Sequence, residues 1–146
     1  MASSNSGSCL CGAVQYRITG DPGQFFVCHC DNCQKVSGSA FMANCWYIKD
    51  QVQITQGQES VKTYHDKATS SGTGLKRSFC ETCGSSLFVQ SDKPEGLQYI
   101  SVASGTINNR ASLHPTVEVW ESCRRPWLSP IEGTKAMDTQ GNLIEK

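Results

Sequence analysis

The sequence has no surplus of either charge, no long apolar run and no extended helical periodicity, and each absence removes a class of function. Lysine plus arginine balance aspartate plus glutamate at thirteen each, so the formal net charge is zero. Proteins that hold nucleic acid through its phosphates usually carry a basic excess, so no nucleic-acid partner is expected. No apolar stretch approaches the length that spans a bilayer, so no membrane partner is expected either. Residues 1–7 are small and polar, with neither a basic start nor an apolar centre, and read as a disordered leader rather than a signal peptide. No internal repeat is evident, and 146 residues suffice for one domain with a real core.

What the chain does carry is nine cysteines. The odd count, the missing export signal and the spacings all oppose a disulfide framework. Cys9 and Cys11 form a C-x-C pair, Cys28, Cys30 and Cys33 a C-x-C-x-x-C triplet, and Cys80 and Cys83 a C-x-x-C pair. Thiols two positions apart make a strained disulfide with each other but readily share a metal. Metal binding in a reducing cytoplasm is the reading these spacings favour.

Between the cysteines the pattern is that of short strands. Val14, Tyr16 and Ile18 alternate with polar residues over 13–19, the mark of a half-buried strand. A short apolar strand at 24–28 delivers the triplet, a helical turn capped by Asp31 and ended by Gly38 follows, and 39–48 is a longer strand. Further strands are expected at 51–56, 59–64, 75–79, 86–90, 97–103 and 116–120, with 65–74 a mobile surface loop. This is an all-β pattern of packed antiparallel sheets in a single domain, with its body at 8–133 and a surface tail at 134–146.

The cysteines divide naturally as four plus three. Cys9, Cys11, Cys80 and Cys83 supply the four thiolates of a closed tetrahedral structural zinc site, which in a small β domain contributes folding energy. Cys28, Cys30 and Cys33 then hold a second zinc with one position free, the mark of a catalytic site. Cys45 and Cys123 are the alternative closers of that site, although Cys45 reads first as a core thiol. In an extended C-x-C the middle side chain points away, so His29 is a packed histidine or a group facing the pocket rather than a ligand. Zinc with three thiolates is net anionic and a weak activator of water. It suits a fourth sulfur, which points to making or breaking a carbon–sulfur bond. Arg124 and Arg125 are candidates to hold a substrate carboxylate, against the alternative of a solvated basic pair. Trp127 beside them is a substrate-platform candidate, although Trp46, Trp120 and Trp127 read first as core. Arg77 either faces the same pocket or alternates outward.

Three stretches carry a resemblance: Ser8-Cys9-Leu10-Cys11-Gly12, then Cys28-His29-Cys30-Asp31-Asn32-Cys33 with Ser37-Gly38-Ser39-Ala40-Phe41, then Phe79-Cys80-Glu81-Thr82-Cys83-Gly84-Ser85. In this order they resemble the glutathione-dependent formaldehyde-activating enzyme family, to which centromere protein V-like zinc domains also belong. The resemblance implies a β-tent fold, a structural zinc on Cys9, Cys11, Cys80 and Cys83, and a catalytic zinc on Cys28, Cys30 and Cys33. It also implies carbon–sulfur lyase activity, adding a thiol such as glutathione to an aldehyde or reversing that addition. A lyase or isomerase acting on a different metabolite, and a non-catalytic zinc-stabilised interaction module, are the alternatives.

Overall fold

The strict alternation of Tyr16 and Ile18 with polar neighbours makes β2 (Gln15–Thr19) a strand with one dry face. It is the centre of a three-stranded antiparallel sheet, flanked by β1 (Ser4–Ser8) and β5 (Val52–Gln56). The computed structural model describes residues 3–138 and 142–144. The second sheet has nine strands. From one edge they run β12 (Leu143–Ile144), β11 (Lys135–Met137), β10 (Val117–Val119), β3 (Gln24–Cys28), β4 (Met42–Ile48), β9 (Tyr99–Ala103), β8 (Ser86–Ser91), β7 (Leu75–Cys80) and β6 (Val61–Asp66). All pairings are antiparallel except those of β10, which runs parallel to both β3 and β11.

The sheets meet in a core of Val14, Tyr16 and Ile18 against Cys45, Tyr47, Phe88, Ile100 and Val102. Tyr16 and Phe88 pack edge to face across it with ring centroids 5.2 Å apart. The other face of the nine-stranded sheet carries a smaller cluster, in which Cys28, Cys30, Cys33 and Met42 pack with Phe26, Val89 and Trp120. Both faces of β4 are therefore covered. The one α-helix among the described residues, α1 (Asp31–Ser37), ends at Gly38, whose φ of 61° accepts the left-handed cap expected there. Its N-cap is Cys30 rather than Asp31, which sits in the first turn.

Two sequence expectations need correction. Residues 4–7 of the expected leader lie in strand β1, paired with β2 from Ser4↔Thr19 to Ser8↔Gln15. Their small side chains allow this close approach, since a Cβ on Gly7 would strike the Tyr16 ring. The expected tail begins inside the fold as well. Ala136 on β11 is wholly buried opposite Glu118, and a surface segment has no such residue. Residues 1–2 of the leader and 139–141 and 145–146 of the tail lie outside the described residues.

Candidate metal and active site

The first cysteine cluster forms where the two sheets are stitched together. Cys9 and Cys11 follow β1, while Cys80 ends β7 and Cys83 follows it, so the three-stranded sheet is tied to the far side of the other. Backbone turns bring each pair round: Gly12 N–H donates to Cys9 O at 3.1 Å and Gly84 N–H to Cys80 O at 2.8 Å. The four sulfurs lie within 4.8 Å of one another. Cys9 and Cys11 are 3.6 Å apart, and Cys11 and Cys80 3.9 Å. Zinc–sulfur bonds of about 2.3 Å at tetrahedral angles separate sulfurs by about 3.8 Å, so this donor set fits zinc. Val14 N–H donates to Cys9 Sγ at 3.2 Å. The Ser85 hydroxyl, 3.2 Å from Cys83 Sγ, helps draw that thiol down to about 5.

The triplet owes its convergence to a change of backbone. Cys28 ends β3, Cys30 is extended at φ −63° and ψ 157°, and Cys33 lies one turn into α1. Strand geometry puts Cys28 and Cys30 on one side, and the helical turn carries Cys33 back over them. Their sulfurs fall within 4.8 Å of one another, and all three residues are buried. Cys33 N–H donates to Cys30 Sγ at 3.4 Å. The neighbouring thiols of Cys28 and Cys33, then that N–H and the charge of Arg77, pull Cys30 down to about 2, while Cys28 is pushed up. Three thiols this close resist ionising together, and a cation between them would displace their protons. Neither Cys45, Cys123 nor His29 belongs to the group.

Beside the triplet lies a cavity of about 470 Å³, large enough for a small organic ligand. Its floor is the outer face of the nine-stranded sheet. Trp46, Ser101, Val89 and Arg77 form one cross-strand row through their registers. Trp46 stacks on Tyr99 with centroids 4.2 Å apart. Trp120 also lines the cavity, and its φ of 55° is rare for a bulky residue. Backbone held in that region clusters at functional sites. Asn44 is 3% exposed and lines the same space, and its Oδ1 has no hydrogen-bond partner. Thr69, Ser70 and Ser71 complete the wall. The loop read as a mobile surface segment thus helps enclose the cavity, and Asn32 Nδ2 fastens its base through Asp66 and the Ala68 carbonyl.

A family model described as glutathione-dependent formaldehyde-activating enzyme matches residues 4–123, from β1 through both cysteine clusters. The chain belongs to this family. A Halomonas elongata protein provisionally named as a glutathione-dependent formaldehyde-activating enzyme is 34% identical over 87 residues, 57% of this chain and 54% of that protein. The chain thus spans about half the length of the curated family relative it matches. A crystal structure of a Rhodobacter sphaeroides protein superposes with a TM-score of 0.55 at 19% identity, over 75% of this chain and 91% of that one, and shares the fold.

The remaining sequence candidates fall elsewhere in this family member. His29 is 2% exposed, and its Nε2 lies 2.9 Å from Glu118 Oε1, on the side away from the sulfurs that alternation implied. Glu118 is wholly buried and also accepts from Thr134 Oγ1 and Ile131 N–H. Burial alone would raise its carboxyl, but these hydrogen bonds and the Arg124 charge outweigh it and hold the group below its ordinary value. Arg124, a candidate to clamp a substrate carboxylate, is engaged with this buried carboxylate at 3.1 Å. Arg125 and Trp127 are exposed, and neither lines the cavity. Trp46 and Trp120, read first as core, face the cavity. Cys45 is the core thiol expected, pushed up to about 11 by burial, and Cys123 is exposed. Sequence reasoning missed Glu118, Asn44 and Asp66. The one available signal for Glu118 was an acidic residue inside the apolar run 117–120.

Proposed function

We propose that this chain is a zinc-dependent enzyme of the carbon–sulfur lyase type, acting on a thiol adduct of an aldehyde or related electrophile, with glutathione a candidate thiol. The observation that carries the reading is the triplet itself. Three buried cysteine sulfurs converge beside a cavity of about 470 Å³, and no other His, Cys, Asp or Glu ligand atom among the described residues joins them. Cys9, Cys11, Cys80 and Cys83 would hold a structural zinc, and Cys28, Cys30 and Cys33 a second one. A zinc ion bound by three thiolates supplies a soft position that keeps an incoming sulfur ionised at neutral pH.

The protein's own groups do the rest. Phe26, Trp46, Tyr99 and Trp120 present apolar surface that excludes bulk water from a reversible adduct. The unpartnered Asn44 Oδ1 is placed to accept a hydrogen bond from the hydroxyl of the adduct and so orient it. In the addition direction a carbon–sulfur bond forms, the carbonyl π bond opens onto oxygen, and the proton lost by the thiol ends on that oxygen. The lyase direction reverses each change, with no oxidant or reductant. All nine cysteines are free, which supports a reducing compartment such as the cytoplasm.

Metal analysis with X-ray absorption, with and without glutathione, tests the reading. Two zinc ions per chain, one gaining a sulfur neighbour when thiol is added, are the expected result. Two ions with unchanged coordination, together with no exchange between aldehyde and adduct by NMR, would leave a zinc-stabilised interaction module.

A further inference from the structure

Arg77 is 6% exposed, yet most of its guanidinium is without a protein partner. Its Nε donates to Asp66 Oδ2 at 2.9 Å, and this is the side chain's one hydrogen bond among the described residues. Asp66 is fixed in turn by Asn32 Nδ2 at 3.0 Å and by Ala68 N–H at 3.3 Å. One edge of the guanidinium is thereby clamped, which leaves the two Nη groups for something else. Arg77 lines the cavity that also holds Cys28, Cys30 and Cys33, and it is the one cation in that lining. Asn32, which holds Asp66, immediately precedes Cys33, so the Arg77–Asp66 pair is anchored beside the triplet. A largely buried cation whose Nη groups have no protein hydrogen bond among the described residues keeps donors to spare for a ligand.

We propose that Arg77, oriented by Asp66, is a carboxylate-binding site of the cavity, and that the electrophile is a small aldehyde bearing a carboxylate next to its carbonyl. The second half rests on the thiol-adduct reading above; the anion site does not. A planar fork of free Nη donors matches the two oxygens of a carboxylate better than one carbonyl oxygen. An anion site anchored beside the sulfurs suits an acid group close to the reacting carbon. The long-range carboxylates of a peptide thiol do not meet that condition, and no second cation lines the cavity to receive them. Arg77 thus takes the role that the sequence had suggested for Arg124 and Arg125.

The test uses the full chain with its metal as purified. Acetate and its neutral isostere acetamide are titrated in separate NMR experiments. Acetate should shift the Arg77 side-chain resonances and saturate, while acetamide should not. Binding should weaken in Arg77→Lys and fall by at least about tenfold in Arg77→Gln. Because Arg77→Gln strands Asp66, the paired variant Asp66→Asn with Arg77→Gln is measured beside it, its fold verified from its spectrum. Equal response to acetate and acetamide, or acetate binding that survives in the folded paired variant, overturns the anion site. For the electrophile, glyoxylate should outcompete acetaldehyde in adduct formation with a common thiol by at least about tenfold in kcat/KM, and the ratio should collapse in Arg77→Gln. Acetate binding without turnover of either aldehyde would uphold the site and sink the reaction. Equal turnover of both aldehydes with no acetate binding would sink the anion site and the carboxylate-bearing electrophile together and leave the thiol-adduct reading standing.

Discussion

His29 and Glu118, 89 positions apart in the chain, meet at 2.9 Å with both side chains sealed from solvent. This is the histidine's one side-chain hydrogen bond among the described residues, since its Nδ1 has no partner. Glu118 gathers the loop between Cys28 and Cys30, Arg124 and the turn at Ile131 onto one carboxylate. Its replacement by alanine strands several donors at once. Glu118→Ala should lose about 3–5 kcal/mol in chemical denaturation, as expected when one partner of a buried pair is removed. Glu118→Gln should lose less. Metal content at the triplet should fall with stability in both.

Acid should act on stability through Asp66. Burial would raise its carboxyl, but hydrogen bonds from Arg77 and Asn32 and the Arg77 charge outweigh it and hold the group below its ordinary value. A carboxyl depressed in the folded state contributes stability above its unfolded pKa of about 3.9 and loses it as pH falls through the lower folded value. The pH dependence of urea unfolding below about pH 4 should therefore be flatter in Asp66→Asn than in the parent chain. Equal slopes would mean that the pair does not couple to folding.

The two cysteine clusters should separate by what their loss destroys. Cys80 is wholly buried at the junction of the two sheets, so Cys80→Ser should lower the melting temperature sharply and remove one zinc per chain. Cys30→Ser should remove the other zinc and abolish thiol binding while leaving the far-ultraviolet spectrum close to that of the parent. Circular dichroism and metal analysis on the same samples check both. Equal unfolding by the two substitutions would end the division into a structural and a catalytic site.

Strand β1 should prove integral to the fold. A Cβ at Gly7 meets the Tyr16 ring and comes within 2.6 Å of the Thr106 carbonyl oxygen. Tyr16 cannot retreat, because its hydroxyl is hydrogen-bonded to Thr106 at 2.7 Å and its ring is packed on Phe88. Gly7→Ala should therefore cost about 1–3 kcal/mol of unfolding free energy, the range for overpacking.

The parts of this fold legible in the sequence were those with a local signature. Alternation in 13–19 announced β2, Gly38 announced the end of α1, and the cysteine spacings announced both clusters. Strand β1 was hidden because Ser-Asn-Ser-Gly-Ser has no apolar alternation; it is held by backbone pairing with β2. Strand β11 was hidden because its one buried side chain, Ala136, is small and its partner β10 is parallel and distant in sequence. Arg124 looked like a clamp because nothing local discloses that Glu118 lies beneath it. Arg77 could not be assigned from alternation alone, which fixes the relative faces of neighbours but not which face holds the cavity.

The parallel seating of β10 against β3 also orders events during biosynthesis. Cys28 leaves the ribosome long before Val119, the residue that stands beside it in the finished sheet. Through that interval the nascent triplet lacks Trp120 as a cover and Glu118 as an anchor for His29, so its thiols stand open to oxidants. A metal ion held there would be enclosed only once that later strand has docked.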